Sequence, residues 1–441
     1  MIRTIFKAGY KLIILIAFTI VFALFASKMV RPASYSEIDN TKNKVDGFYA
    51  LQDNSIDVLV MGTSHAYSAI NPGILYHYTG LNSYDFAGQC QPMEVTYNYL
   101  VEALKTQDPK LVILDLFALS NEASKCQVDG AYRTNIQDLK ASENKYNAYS
   151  YIDDHSQLEN LFDISLYSYR LNDVDFNDYE SILKYESDYF FGHTIIYPNS
   201  DVIWEREAPV STESVLPDSR RYESLLKIID LCKANNIELL LIKTPYYMEQ
   251  EDANIYRSIW DLCEQNDIDY IDFNYLTNDM NYVYELDGDS WHANEAGAFK
   301  ITKYISDFIT NNYDFDNEDK IYDSNYRDLY FEALQVMFIK NNSYDRLMEY
   351  INTYDVTAII YDKYNHYSSD NQIVVYTKDY YYYDRFIIYN NNEVEVGYDR
   401  SVYFNGERVV GLNDYYLFVI IDNESGNIIS TIDVDRMEIA E

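Results

Sequence analysis

Two short segments carry the residue types and spacing of nucleophilic chemistry. The first is Gly62-Thr63-Ser64-His65, directly after an apolar run. A serine acts as a nucleophile when its hydroxyl is exposed, a base lies within hydrogen-bond reach and amide donors face the developing oxyanion. A sharp turn at a strand end can expose the hydroxyl and aim nearby amides. The second segment is Asp289-Ser290-Trp291-His292, followed by Ala293-Asn294-Glu295-Ala296-Gly297. An Asp three residues before a His, just ahead of a helix, can share one side of a turn with it. Asp289 would then accept a hydrogen bond from His292 and set its tautomer, leaving the other ring nitrogen for Ser64. Each segment also has a plain structural reading. Ser64 can cap the next helix, and the Asp/His turn can cap the last one.

For the two segments to meet, the elements around them must form one unit. Residues 56–62, IDVLVMG, are a short apolar run ending in Gly, as in a buried parallel strand. Residues 83–88, 110–117, 237–244 and 269–273 are further strand candidates. Helical patterns fall between them at 92–105, 219–234 and 252–266, and a last helix spans 294–311. Helices alternating with apolar strands imply a parallel sheet covered on both faces. Ligands then sit at the carboxyl ends of the strands. One segment ends the first strand and the other enters the last helix, so such a sheet can bring both to one edge. Gln89, Gln91, Lys243 and Thr244 fall at the same edge and read as structural or solvated groups.

These residues carry a family resemblance. Gly62-Thr63-Ser64, Gly88 after the second strand, Asp289-x-x-His292 and the stretch HANEAGAFKIT resemble the SGNH (GDSL-like) hydrolase superfamily over residues 53–312. The resemblance implies a three-layer α/β/α, flavodoxin-like domain and acyl-ester chemistry. By it, Ser64 is the nucleophile, His292 the base and Asp289 the orienting acid. The backbone amides of Ser64 and Gly88 are oxyanion donors. The family's further Asn donor, in a G-x-N-D segment, is missing where the third strand runs into Asp115-Leu116-Phe117, and Asn121 is the candidate substitute. No cofactor is expected. The remaining histidines, His77, His155, His193 and His366, show no ligand spacing, so no metal is inferred. No P-loop or G-x-G-x-x-G sequence appears.

The chain has 441 residues and a net charge of −37. That acidity argues against nucleic acid as a partner, because phosphates need Lys/Arg to replace their counterions. Residues 12–27 form an uncharged apolar run behind Arg3, Lys7 and Lys11. With a few flanking residues, its length approaches the roughly 20 residues that cross a bilayer. A cleaved signal peptide and an uncleaved anchor compete. The lack of a small-x-small cleavage pattern favours the anchor, with the bulk of the chain outside a cell membrane. Residues 1–31 carry +5, which leaves −42 for the exported part. Four cysteines without CxxC spacing are too sparse for a disulfide scaffold or a zinc site, and Cys232 and Cys263 read as core residues.

The expected organisation is an anchor (1–31), a linker (32–53), the hydrolase-like domain (54–312, with a mostly helical insertion at 118–216), a connector (313–345) and a smaller β-rich domain (346–441). Residues 411–435 resemble a strand–turn–strand of lectin-like domains of the ILEI/PANDER type. Two functions follow. One is a membrane-tethered serine esterase or O-acyltransferase acting on acyl esters of a cell-surface polysaccharide. Membrane-anchored members of the superfamily imply a membrane-bound O-acyltransferase as partner. The other is a non-catalytic surface protein that binds glycan or protein through the β-domain.

Overall fold

The computed structural model describes residues 2–30, 41–152, 188–196, 208–276 and 292–315. It also describes four helical positions between 325 and 333, and strands from 356 to 440 by their backbone pairing. Five strands form one parallel sheet: β1 (Val58–Met61), β2 (Ser83–Asp85), β3 (Leu111–Asp115), β4 (Glu238–Lys243) and β5 (Asp269–Asp272). Their order is β2-β1-β3-β4-β5.

The strands are apolar on both faces because both faces are buried. Leu59, Met61, Val112, Leu114 and Leu241 join one hydrophobic cluster. Their neighbours Val58, Val60, Leu111, Ile113, Leu240 and Ile242 join the other. The first cluster is covered by helices Thr41–Ala50, Met93–Ala103, Ser219–Ala234 and Gln250–Asn266. The second is covered by Ser64–Ala69, Pro72–Thr79 and Glu295–Asn312, the last presenting Ile301, Ile305 and Ile309 at helical spacing. In this strand order the chain reverses its direction of growth between β1 and β3, and the crevice there lies at the carboxyl ends of the strands. Ser64 follows β1 at that point.

The structure departs from the sequence expectations in several places. Residues 41–50, expected within the polar linker 32–53, form a helix whose Val45 and Phe48 are fully buried. Val45 and Phe48, one turn apart, join the first hydrophobic cluster, with Tyr49 packed beside them. Cys90 and Cys126 form a disulfide, which the sparse cysteine spacing did not suggest. Cys232 and Cys263 are buried free thiols. The described part of the 118–216 insertion includes helices Asp129–Ile136 and Glu143–Ala148, but residues 188–196 form a non-helical strap. Tyr326, in the expected connector, packs against Phe191 and donates to the Ser83 carbonyl at 2.6 Å.

Residues 12–27 lie in one helix, Ile2–Val30. Among the described residues, no helix is long and apolar enough to cross a membrane. Beyond residue 355 the strands pair into a three-stranded and a six-stranded sheet, with antiparallel pairings.

The disulfide closes a loop spanning 36 positions. Its loss as Cys126→Ser is expected to lower unfolding free energy by about 3–4 kcal/mol on the loop-entropy relation. Denaturant unfolding of the oxidised parent and the variant measures this.

Candidate functional site

Gly62 follows β1 with a φ of +142°, a conformation side chains rarely adopt. A Cβ there would also press on Asp115 and Ala66, at 3.0 and 3.1 Å. Thr63 then caps the following helix, its Oγ1 accepting from the His65 amide at 3.2 Å. Ser64 is thus the first helical residue and not the cap, which frees its hydroxyl from that duty. The residue is 8% exposed.

His292 stands just before Asn294, whose side chain caps helix Glu295–Asn312 by accepting from the Gly297 amide at 3.1 Å. The two helices pack on the same sheet face. Ser64 Oγ and His292 Nε2 lie 2.9 Å apart. That is the distance for proton transfer between a hydroxyl and an imidazole base. Asp289, expected to orient His292, lies outside the described residues.

Gly88 reaches the same edge. Its amide donates to the Gly62 carbonyl at a long 3.4 Å, two residues before Ser64. A Cβ on Gly88 would fall 1.8 Å from Asn135 Oδ1, so only glycine fits beneath Asn135. Asn135 Nδ2 donates to the Gln89 carbonyl at 2.9 Å, and Gln91 Nε2 donates to Asn135 Oδ1 at 3.3 Å. With the Cys90–Cys126 bridge, these contacts hold the 88–91 loop in place. Asn121 differs from this group. It is exposed, its backbone amide donates to Asp252 Oδ1 at 2.7 Å, and no contact among the described residues joins its side chain to Ser64 or His292.

Three residues that the sequence reading left without a role meet behind the pair. His65 is buried and stacks on Phe117 with ring centroids 3.7 Å apart. Its ring lies 4.8 Å from that of His292. Asp115, at the end of β3, accepts from the Thr244 amide at 3.0 Å, the Thr244 hydroxyl at 2.9 Å and the Phe117 amide at 3.1 Å. Burial raises the Asp115 pKa, and those donors oppose the rise. Since the Thr244 hydroxyl proton goes to Asp115, its oxygen is left to accept from His65 Nδ1 at 3.4 Å. Burial, and then electrostatic repulsion between a charged His65 and its neighbours His292 and Lys243, hold the His65 pKa well below its ordinary value. His65 is therefore a neutral ring beside the base. The signal in the sequence was its adjacency to Ser64 in the first turn of a helix.

Lys243 is fully buried. It pairs with Asp272 Oδ1 at 3.2 Å, contacts Asn274 and lies about 5 Å from the Tyr246 and Tyr256 rings. Burial lowers its pKa and Asp272 raises it. Gln91 is buried and Gln89 exposed. Among the described residues no group of His, Cys, Asp or Glu is arranged to hold a metal ion.

No family model matches the chain, and no curated protein matches it. Among solved structures, one similar chain is a protein of Bacteroides fragilis NCTC 9343 provisionally called an acylhydrolase. It is 12% identical, with a TM-score of 0.30, over 60% of this chain and 92% of that one. The fold and site define a parallel-sheet α/β protein with a serine–histidine pair at the carboxyl ends of its strands.

The His65 environment makes a signed pH prediction. Its folded-state pKa is below the ordinary 6.5, so the unfolded chain binds more protons on the acid side of that value. The stability linked to His65 is complete above the unfolded pKa and is lost as pH falls from there towards the folded value. His65→Phe is expected to shrink the fall in unfolding free energy between about pH 6.5 and pH 5. Denaturant titrations of parent and variant at both pH values measure the difference.

Proposed function

We propose that this chain is an exported, membrane-tethered serine esterase or O-acyltransferase acting on acyl esters of a cell-surface glycan. The 2.9 Å contact between Ser64 Oγ and His292 Nε2, at the strand edge where this sheet topology places ligands, carries the reading. The resemblance of residues 53–312 to SGNH hydrolases, with Asp289 three residues before His292, supports the orienting acid.

In this reading Ser64 Oγ attacks the acyl carbonyl carbon and its proton passes to His292 Nε2. The backbone N–H of Ser64 receives the oxyanion, joined by that of Gly88 once it gives up its long 3.4 Å bond to the Gly62 carbonyl, with Asn121 as the candidate third donor. As the tetrahedral intermediate collapses, His292 gives the proton to the leaving alkoxide and an acyl-enzyme remains. Water then takes the acyl group in hydrolysis, or a sugar hydroxyl takes it in transfer. His292 accepts the attacking group's proton and returns it to Ser64. The neutral, buried His65 beside His292 adds no competing positive charge when His292 becomes an imidazolium.

The disulfide fits an oxidising compartment outside the cytoplasm. Exposed Leu12, Ile13, Phe18, Val21 and Phe22 on the first helix support the tether. A membrane-bound O-acyltransferase is the partner this layout suits. The charge of −42 on the exported part disfavours a strongly anionic polymer as substrate.

A second reading is a non-catalytic surface protein that binds glycan or protein. The exposed Asn121, held through its backbone by Asp252, favours it, since a third oxyanion donor is then lacking. Loss of one such donor costs about 2.7–4 kcal/mol of transition-state stabilisation.

The test is hydrolysis of 4-nitrophenyl acetate by the detergent-solubilised chain. Ser64→Ala is expected to abolish it and to prevent labelling by a fluorophosphonate. His292→Ala is expected to slow it by about 10²–10⁴-fold. An inert, unlabelled parent protein would leave the binding reading standing.

A further inference from the structure

A second buried polar chain lies beside the site and takes no part in the chemistry above. His193, from the 188–196 strap, is fully buried, and its Nε2 lies 3.0 Å from Glu295 Oε2. The other Glu295 oxygen accepts from Asn71 Nδ2 at 2.8 Å. His193 Nδ1 faces Asp85 Oδ2 at 3.9 Å. These residues belong to the three segments that carry the site. Asn71 follows the Ser64 helix, Glu295 follows the His292 turn, and Asp85 ends β2 three residues before Gly88.

The strap backbone repeats the same three connections. The Asp85 amide donates to the Phe191 carbonyl at 2.8 Å. The Thr194 amide donates to the Tyr67 carbonyl at 2.9 Å, and the Glu295 amide to the Ile196 carbonyl at 2.8 Å. Lys44 anchors the strap from the far side. Its ammonium donates to the Gly192 carbonyl and to Thr194 Oγ1 at 2.7 Å, and lies over the Tyr67 ring. Gly192, at a φ of +86°, lets the strap run against the Asp85 carbonyl, where a Cβ would come within 2.1 Å. Burial raises the Asp85 pKa well above the usual carboxylate range, with Lys44 opposing and Asp188 adding to the rise.

We propose that His193 is a positioning residue. Through Glu295 it ties the strap to the nucleophile helix and the base turn, while the strap backbone at Phe191 holds Asp85 ahead of the Gly88 loop, and so it sets the Ser64–His292 contact. This rests on reading Ser64 as nucleophile and His292 as base. The physical need is plain, because that contact joins separate helices and a misplacement of about 1 Å can cost 10²-fold in rate. A bond through Glu295 acts where His292 enters its helix, three residues away.

The test compares His193→Phe, which keeps a ring but loses both nitrogens, with His193→Gln, whose amide nitrogen can occupy the Nε2 position. His193→Ala replaces the Phe variant if that one does not fold. The readouts are the rate of fluorophosphonate labelling at Ser64 and amide hydrogen exchange, both on the full chain in detergent with circular dichroism as the fold control. His193→Phe is expected to lower the maximal labelling rate by about 10–100-fold at unchanged reagent saturation, and His193→Gln to restore it to within about three-fold. The amides of Asp85, Thr194 and Glu295 should exchange faster in His193→Phe and recover in His193→Gln, while those of β4 stay unchanged. A folded His193→Phe that labels at the parental rate overturns the proposal, as does a Gln variant as slow as the Phe variant. A parent protein that fails to label at Ser64 defeats the proposed function instead. The strap's locking role is then decided by exchange, and unchanged exchange at Thr194 and Glu295 in His193→Phe overturns it.

Discussion

A hydroxyl and an imidazole separated by 228 positions in the chain meet at hydrogen-bond distance, and no local rule of sequence enforces that meeting. It depends on two helices burying apolar stripes on the same face of one parallel sheet. Ala66 and Ala69 on the Ser64 helix leave room for close approach, and Ile301 and Ile305 fill the space beneath the other helix. Thr302 ties the two elements further, accepting from the Asn71 amide at 2.9 Å and donating to the Ala69 carbonyl at 3.2 Å. Small changes in helix packing would therefore be felt at Ser64 before they were felt in the sheet.

The polar groups around this contact are buried and joined in chains. Asp115 binds the end of β3 to Thr244 just past β4, and Thr244 meets His65 beside the base. Lys243, Asp272 and Asn274 bind the end of β4 to the end of β5 and the segment after it. Leaving one such buried group without its partner costs about 1–3 kcal/mol, which exceeds the net gain of an ordinary hydrogen bond. The strand ends are thus held by penalties on disorder as much as by attraction. A chain that is strongly acidic overall still places an ammonium and a neutral imidazole behind its candidate base.

Much of the sheet is legible in the sequence. Strands buried on both faces need unbroken apolar runs, so VLVM, LVILD and ELLLIK stand out against a polar chain. Helix Ser219–Ala234 was legible in full because Leu225, Ile228 and Cys232 repeat at helical spacing and Asp218 caps it. Helix Thr41–Ala50 was hidden, since among polar neighbours and a glycine its burial rests on a few residues, Val45 and Phe48 foremost. Strand Glu407–Gly411 starts with charged residues and takes its form from antiparallel pairing with Ser401–Phe404. Residues 188–196 carry no periodicity, because a strap held by backbone and buried polar bonds to three other segments has none to show.

By itself the sequence determined which groups have the chemistry: a serine at a strand end, a histidine before a helix and a glycine after the second strand. Residue type and local turn geometry are short-range properties, and a linear text records them. Only the tertiary structure decided that Ser64 and His292 touch, that Thr63 rather than Ser64 caps the helix, and that Cys90 finds Cys126. It also decided that His65, Asp115, Thr244, His193 and Glu295 form the buried frame around the site. Those are pairings between distant segments. Packing of whole helices and strands sets them, and each side chain then meets the partner that spares it an unsatisfied burial.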